Sequence, residues 1–512
     1  MIDVLSDFSA RPRRSLRELA AAAHALDTLH GEAEVCGICD DSRHVQNGDA
    51  FLCVPRALDK AQEFAEQAAE RGASCIISVG LRGLEVTIPH LPLADMQAAG
   101  SLLRRWFGTE ASSVRLFGIT GTDGKTSVTW MLSEALRRRF GKVWSVGTLG
   151  WIRDGGEVVE IGNTTPSLLM LHGLLCAAVQ ADVKAMVCEV SSHGIVQQRI
   201  AGLPFSHAAW TTLGHDHLQD HGGFKTYAAI KASFIEAVAV GGGCVVGNAD
   251  DAGVAQRLPA GALRFGRGLF RDDIDLAWEQ ELPGMLRLCQ PSNAGKTAEH
   301  GSEVYVGDIP VGNFHAENMA CTALLLLQNG LSIHELPALL DGISAPPGRM
   351  QAMNIGRWQV FIDYAHTPEA LACALQAARQ FTEDRLMLVF GCGGERDREK
   401  RPQMGEIATR LADVVWLTSD NSRGELPEVI VSEIEAGMPH PYPAEVHLKL
   451  DRAQAIDAAI ADMQCGDVLL IAGKGHESYI DIGGQRTPWS DAEAAAKALH
   501  AKSDTMEFRA CA

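Results

Sequence analysis

The segment GITGTDGKTS, residues 118–127, gathers Gly121, Gly124, Lys125 and Thr126 into one short turn. Glycines let backbone N–H groups approach phosphate oxygens, and the start of a helix favours negative charge. Lys125 could then reach terminal phosphates, and the Thr126 hydroxyl could hold Mg2+. The frame departs from the common G-x-x-x-x-G-K-[ST], because Ile119 stands where the first glycine belongs. Taken alone, such a turn is structural in a minority of cases. Downstream, Glu189 closes the apolar run VKAMVCEV, where a Mg2+ ligand would face the cradle; an ordinary surface carboxylate is the plainer alternative. The run LGHDHLQDHGG packs together His215, Asp216, His217, Asp220 and His221. That density suits metal binding or proton transfer, or else a solvated polar loop. Lys231 lies in the apolar stretch YAAIKASF, odd for a residue seldom buried unpaired, unless only its stem is buried.

Such residues need strands to deliver them and helices to back them. At 512 residues the chain is long enough for two to four domains. Strand-like apolar runs alternate with helical patterns almost throughout, the signature of α/β architecture. DAFLCV and ASCIISV bracket the helical AQEFAEQAAERG; SSVRLFGIT is the strand entering the cradle and TSVTWMLSEALRRRF the helix leaving it. VKAMVCEV, HAAWTTL and GCVVGN read as further strands, and NMACTALLLLQNG as a helix closed by Gly330. The charged, Gly-rich stretch 261–304 reads as less regular. After Pro346-Pro347, four apolar runs (WQVFIDYAH, RLMLVFGCGG, VVWLTSD, DVLLIAGKG) are spaced as a parallel sheet with crossover helices requires. The expectation is three α/β domains, 1–112, 113–345 and 346–512.

Composition narrows the function classes. A net charge of −19 argues against a nucleic-acid partner, so any anionic substrate must be met by local basic groups. The N-terminal stretch lacks a signal-peptide apolar core, and no run approaches a membrane span. A cytoplasmic setting is therefore expected. Thirteen cysteines are scattered, and the one C-x-x-C pair, Cys36 and Cys39, lacks further ligands at matching spacing. Thiols in a reducing compartment are the better reading.

The motifs TGTDGKTS, EVSSHGIVQQR, DHLQDHG, AAIK, GNFHAENMA, PGRM, DYAHTPEAL, FGCGGERDREKRPQMGEIA and AGKGHE occur in order from about residue 35 to about 498. Together they resemble the Mur ligase family, whose cradle reads T-G-T-x-G-K-[ST]. The resemblance implies an N-terminal UDP-type substrate domain, a central P-loop ATPase-like domain with a mostly parallel sheet, and a Rossmann-like C-terminal domain that binds an amino acid. It implies an ATP- and Mg2+-dependent amide ligase of peptidoglycan synthesis. A substrate carboxylate is phosphorylated to an acyl phosphate, and an amine displaces the phosphate, which demands a charge clamp and close placement of two substrates. By the same resemblance, Gly121, Thr122, Asp123, Gly124, Lys125, Thr126 and Ser127 hold ATP. Thr126, Glu189 and His217 hold metal, and Lys231 is carboxylated by CO2 into an anionic metal ligand. His315 and Asn318 face adenine, while Arg349, Asp363 and His366 bring the C-terminal domain onto ATP. Asn163, Thr164, Thr165, Ser191, Gln197 and Arg199 contact a muramoyl dipeptide, with Ser42 in the uridine site. Arg349 would set a cation against developing phosphate charge, and Arg199 would bind a carboxylate bidentately. The partners implied are small molecules alone (a carboxylate, an amino acid and ATP), with a monomer expected.

Two departures bear on substrate. Where diaminopimelate-adding members carry D-N-P-R, this chain has Asp420-Asn421-Ser422-Arg423. Arg423 survives, with Arg396, Gly473 and Glu477 as further amino-acid contacts, which favours diaminopimelate over lysine; losing proline frees the backbone there. In RALDKAQEF, Arg56, Lys60 and Ala61 replace the family's glycine, aspartate and glycine, so the loop should take another conformation. Asp123 in place of asparagine sets extra negative charge near phosphate. Two carboxylate substrates stay open on this reading: the UDP-linked muramoyl dipeptide, favoured by the intact central-domain contacts, and a different, non-UDP carboxylate of specialised metabolism. A nucleotide-binding scaffold without turnover, or a P-loop switch, would not need the full set Lys125, Glu189, His217, Lys231 and Arg349.

Overall fold

Strands that are apolar at every position must be covered on both faces, and helical crossovers between parallel strands provide that cover. Cys75–Val79, Val143–Gly147, Ala185–Glu189 and Leu386–Phe390 are buried at all five positions. The computed structural model describes residues 12–54, 57–214, 223–269, 271–282, 284–291, 302–355 and 357–510. Two compact units divide the chain, Met1–Arg264 and Phe265–Ala512.

Among the described residues the first unit holds a two-stranded ribbon, Arg14–Ser15 with Glu34–Val35, and two larger sheets. A four-stranded parallel sheet runs Gly37–Cys39, Asp49–Cys53, Cys75–Val79, His90–Leu93. The helix Met96–Phe107 joins it to the rest of the unit: Leu102, Leu103 and Trp106 share a core with Leu168, Leu169 and Ala201. The second sheet carries the cradle. Its parallel strands lie in the order Val143–Gly147, Ala185–Glu189, Arg115–Thr120, Phe205–Trp210, Cys244–Asn248. The pairing Gly150–Ile152 with Val158–Val159 extends one edge in antiparallel fashion. Arg115–Thr120 is thus an interior strand, and the helix Lys125–Phe140 leaves its carboxyl end. Gly118 lets the helix Phe224–Val240 approach that strand, because a Cβ there would meet Phe234 at 2.4 Å.

In the second unit a six-stranded sheet runs Gln351–Ile355, Trp358–Asp363, Val468–Ala472, Leu386–Phe390, Val414–Leu417, Glu445–Leu448. All pairs are parallel except the first. Two apolar layers cover it, one built on Leu371, Met404 and Ile434 and the other on Ile456, Ala459 and Leu499. The stretch 261–304, expected to be less regular, instead contains strands Leu263–Arg267, Leu276–Leu282 and Met285–Gln290. Leu286 and Leu288 alternate with more exposed neighbours on a hairpin, a short period-two signal that the surrounding charges obscure in the sequence.

One buried ion pair supports the carboxyl ends of this sheet. Arg452 Nε and Nη2 donate to the Asp491 oxygens at 2.7 and 2.6 Å, and Nη2 also donates to the Ala472 carbonyl at 2.9 Å. Both side chains are essentially inaccessible. Asp491→Asn should therefore strand a buried cation and cost about 3–5 kcal/mol, read as a lower urea midpoint. A loss below about 1 kcal/mol would show that water or another carboxylate takes over.

Candidate functional site

The cradle is positive-φ backbone fastened by threonines. Gly124 caps the helix Lys125–Phe140 at φ 84°, a conformation open to glycine without strain. At Gly121 a Cβ would fall 1.9 Å from Thr211 Oγ1. Thr211 Oγ1 donates to the Asp123 carbonyl at 2.5 Å, and the Asp123 N–H donates to Thr212 Oγ1 at 2.9 Å. The Asp123 side chain itself is exposed. Lys125 Nζ donates to the carbonyls of Gly121 and Thr122 at 3.0 and 2.8 Å, so its charge lies over the turn. Ser127 is buried in the helix's first turn.

Thr126 Oγ1 donates to Glu189 Oε2 at 3.1 Å. Thr148 adds its N–H to Oε1 at 2.9 Å and its hydroxyl to Oε2 at 3.0 Å. Glu189 is thereby a buried, fully oriented carboxylate beside a hydroxyl, a hard-oxygen pair of the kind Mg2+ takes. Among the described residues no group of three or more His, Cys, Asp or Glu side chains is placed to hold a metal. Lys231 lies on the buried face of Phe224–Val240, one turn from Tyr227 and from Phe234. It is 1% exposed, its Nζ donates to the Gly121 carbonyl at 2.7 Å, and it stands 4.7 Å from the Tyr227 ring centre. Helical periodicity puts this amine on the buried face, and the packing of the helix on the strand Arg115–Thr120 brings it to the cradle.

The residues matched to the dipeptide continue from Glu189. Thr165 Oγ1 donates to the Glu189 carbonyl at 2.9 Å and lies 3.1 Å from Ser191 Oγ. Arg199 Nη1 donates to the Thr165 carbonyl at 2.6 Å, while Nε and Nη2 grip Gln197 Oε1. Thr164 lies 3.1 Å from Thr148, and Asn163 is exposed. Ser42, by contrast, is turned inward: its hydroxyl donates to Gln67 Oε1 at 2.8 Å and it is 5% exposed. Lys60 and Ala61 sit in the helix Leu58–Glu70, with Ala61 buried, so neither occupies a strained turn.

In the second unit, the N-terminal turn of Asn313–Leu327 buries His315 and Asn318. His315 Nε2 donates to the Arg349 carbonyl at 3.1 Å, since a carbonyl only accepts. Its Nδ1 is buried without a partner, and burial pushes the imidazole down to about 4. A neutral ring with one spare acceptor suits an exocyclic amine. The Arg349 guanidinium stacks 4.6 Å from the Tyr364 ring centre, and its buried Nε has no hydrogen-bond partner among the described residues. Asp363 accepts the N–H groups of Met350 and Ala365, both at 2.7 Å, and so ties the PGRM turn to the strand end. Burial pushes the Asp363 carboxyl up against the pull of Arg349. His366 is exposed, its Nδ1 donating to the Tyr364 carbonyl at 2.9 Å.

The Asp420–Arg423 loop follows the strand Val414–Leu417, and Gly473–Glu477 follows Val468–Ala472. Both lie at carboxyl ends of parallel strands, the usual ligand edge of such sheets. Asn421 Nδ2 donates to Glu477 Oε2 at 2.7 Å, and the Asn421 carbonyl accepts the Gly394 N–H at 2.8 Å. Arg423 adopts φ 49° and donates to the Gly394 carbonyl at 2.6 Å. Gly473 approaches Asp420, where a Cβ would stand 2.8 Å from Oδ2. Ser422 is fully buried with its hydroxyl unpartnered. Arg396 is exposed on the neighbouring loop.

The structure thus gathers the cradle, Glu189, Lys231 and the Thr165–Arg199 set in one unit, and His315, Asn318, Arg349 and the Asp420–Arg423 loop in the other. His217, with His215, Asp216, Asp220 and His221, lies outside the described residues, as does Arg56. Sequence reasoning passed over Thr148, Thr211, Thr212 and Lys474. A signal for Thr148 existed: it follows the strand Val143–Gly147, so it had to emerge on the same rim as Glu189 if those strands were neighbours.

Two family models match the chain: the Mur ligase middle domain over residues 119–281 and the Mur ligase, glutamate ligase domain over residues 348–475. A UDP-N-acetylmuramoyl-L-alanyl-D-glutamate--2,6-diaminopimelate ligase from Gloeobacter violaceus is 36% identical over 496 residues, covering 95% of this chain and 98% of that relative. The like-named enzyme from Ectopseudomonas mendocina is 36% identical over 478 residues, covering 90% and 94%. A solved structure of a ligase of the same name matches with a TM-score of 0.66 and 29% identity, covering 92% of this chain and 95% of that one.

Proposed function

This chain belongs to the Mur ligase family, and on that premise we propose that it adds meso-diaminopimelate to UDP-N-acetylmuramoyl-L-Ala-D-Glu in peptidoglycan synthesis. It is an ATP-dependent ligase that forms a carbon–nitrogen bond through an acyl phosphate. One observation carries the reading: a chain of hydrogen bonds runs from Arg199 through Thr165 to Glu189 and on to Thr126. Arg199 and the phosphate cradle are thereby tied to the same Glu189, which supports a reading in which a substrate carboxylate is held beside the phosphates.

Lys125 and the cradle N–H groups bind and orient the phosphates, and Arg349 is read as a cation for the charge that develops on transfer. Thr126 and Glu189 would hold Mg2+, which when bound neutralises phosphate charge. His217 is assigned to a second metal. Lys231 is read as N6-carboxylysine: its neutral amine bonds to CO2 carbon and releases a proton, giving an anion that relieves the cost of a buried ammonium. The carbamate nitrogen keeps one N–H, enough to retain the bond to the Gly121 carbonyl. His315 and Asn318 take the adenine, with Asp363 and His366 steadying Arg349. Asn163, Thr164, Ser191 and Gln197 complete the dipeptide contacts, and Ser42 marks the uridine end. Arg396, Asp420, Asn421, Ser422, Arg423, Gly473 and Glu477 form the amino-acid pocket. The reading includes domain cuts near 112 and 345, a monomer, and a cytoplasmic setting, where ATP and UDP-linked sugars are met.

The test is phosphate release from ATP and Mg2+ with UDP-N-acetylmuramoyl-L-Ala-D-Glu, with and without meso-diaminopimelate, with product mass read in parallel. Turnover only with both substrates, giving the tripeptide, is expected. Silence from a protein that still binds ATP would transfer the assignment to a non-UDP carboxylate, a reading the full-length relatives do not favour.

A further inference from the structure

Lys474 is fully buried, an unfavourable place for an ammonium unless its protons find acceptors. Nζ donates to Asn421 Oδ1 at 3.0 Å and to Glu477 Oε2 at 2.9 Å. Asn421 Nδ2 donates to the same Oε2 at 2.7 Å, and Asn421 Oδ1 also accepts the Asp481 N–H at 2.9 Å. The Tyr479 ring closes one side, its centre 5.7 Å from Nζ. One oxygen of Glu477 therefore receives two donors, one of them charged, while Oε1 has no hydrogen bond among the described residues. The Glu477 side chain stays 20% exposed. The lysine is withdrawn, and the carboxylate it grips reaches the surface.

We propose that Lys474 is the positioning residue of the amino-acid pocket: it anchors one oxygen of Glu477 and the Asn421 amide, leaving the second Glu477 oxygen for an ammonium group of the incoming amino acid. The proposal rests on the reading of Asn421, Arg423 and Glu477 as that pocket. A long carboxylate free to rotate would bind the ammonium only after losing rotamer entropy; one already held has lost it in advance. The same contacts hold the Asp420–Arg423 loop through Asn421, giving order to a segment that has serine where relatives carry proline.

Steady-state kinetics of Lys474→Met, with meso-diaminopimelate as the varied substrate, tests this. Hydrogen bonds to charged groups are worth enough that its KM should rise roughly 10- to 100-fold. The KM for ATP and kcat at saturation should stay within about threefold. In a Glu477→Gln background the same change should add less than about threefold, because no carboxylate remains to be held. If Lys474→Met fails to fold, Asn421→Asp supplies the second arm: it removes the Nδ2 donor, sets a like charge beside Glu477, and should raise the same KM selectively. An unchanged KM for meso-diaminopimelate, equal losses for all substrates, or losses that multiply with Glu477→Gln would overturn the positioning role. If Arg423→Ala and Glu477→Gln both leave that KM unchanged, the pocket reading itself fails, a separate outcome.

Discussion

Lys231→Ala should lower ligation roughly 10³-fold, and short carboxylic acids such as formate or acetate should restore part of the loss. The side chain is 1% exposed on a helix face otherwise occupied by Tyr227, Ala228, Phe234 and Ile235. A buried charge is costly to place on such a face, and Nζ donates to the Gly121 carbonyl at 2.7 Å. Carboxylation would place an anion next to the cradle, where a bound metal ion needs one. Alanine removes the anion but leaves a cavity open to a small acid. Rescue is the discriminating observation, because a lysine that merely braces the Gly121 carbonyl would not respond to added acid. Full activity in the variant would eliminate the carboxylation claim, and loss without rescue would leave bracing as its role. Circular dichroism melting shows whether the cavity has cost the fold.

Glu189→Gln should lower kcat roughly 10²- to 10³-fold and raise the Mg2+ concentration for half-maximal activity more than about tenfold. The substitution isolates charge from shape. Oε1 accepts a backbone N–H, which an amide oxygen in the same place would keep; Oε2 accepts two hydroxyls, from Thr126 and Thr148, and those can rotate to accept from an amide nitrogen. Thermal stability should therefore change little. A Mg2+ titration superimposable on that of the parent enzyme would remove Glu189 from the metal site.

Much of the first unit's chemistry was legible because it is local. The cradle occupies consecutive residues between an apolar run and a helical pattern, and Gly121 and Gly124 are there because only they tolerate that backbone. Lys231 was legible as an anomaly of burial, and Asp420–Arg423 as a polar cluster after an apolar run. The hairpin within 261–304 was not, since its alternating pattern is short and interrupted by charge. Ser42 kept its motif, yet its hydroxyl is spent on Gln67 in the neighbouring helix, a partner 25 residues away that no local pattern announces.

By itself, then, the sequence determined the α/β class, the cradle, the family and the identity of most groups available for chemistry. These depend on residue type and short-range periodicity. Only the tertiary structure decided which groups hold which. Thr148 meets Glu189 across 41 residues, and Lys474 meets Asn421 across 53. Both contacts exist because parallel sheets deliver distant strand ends to one rim in an order set by packing, and hydrophobic periodicity specifies that a strand is buried without specifying its neighbour.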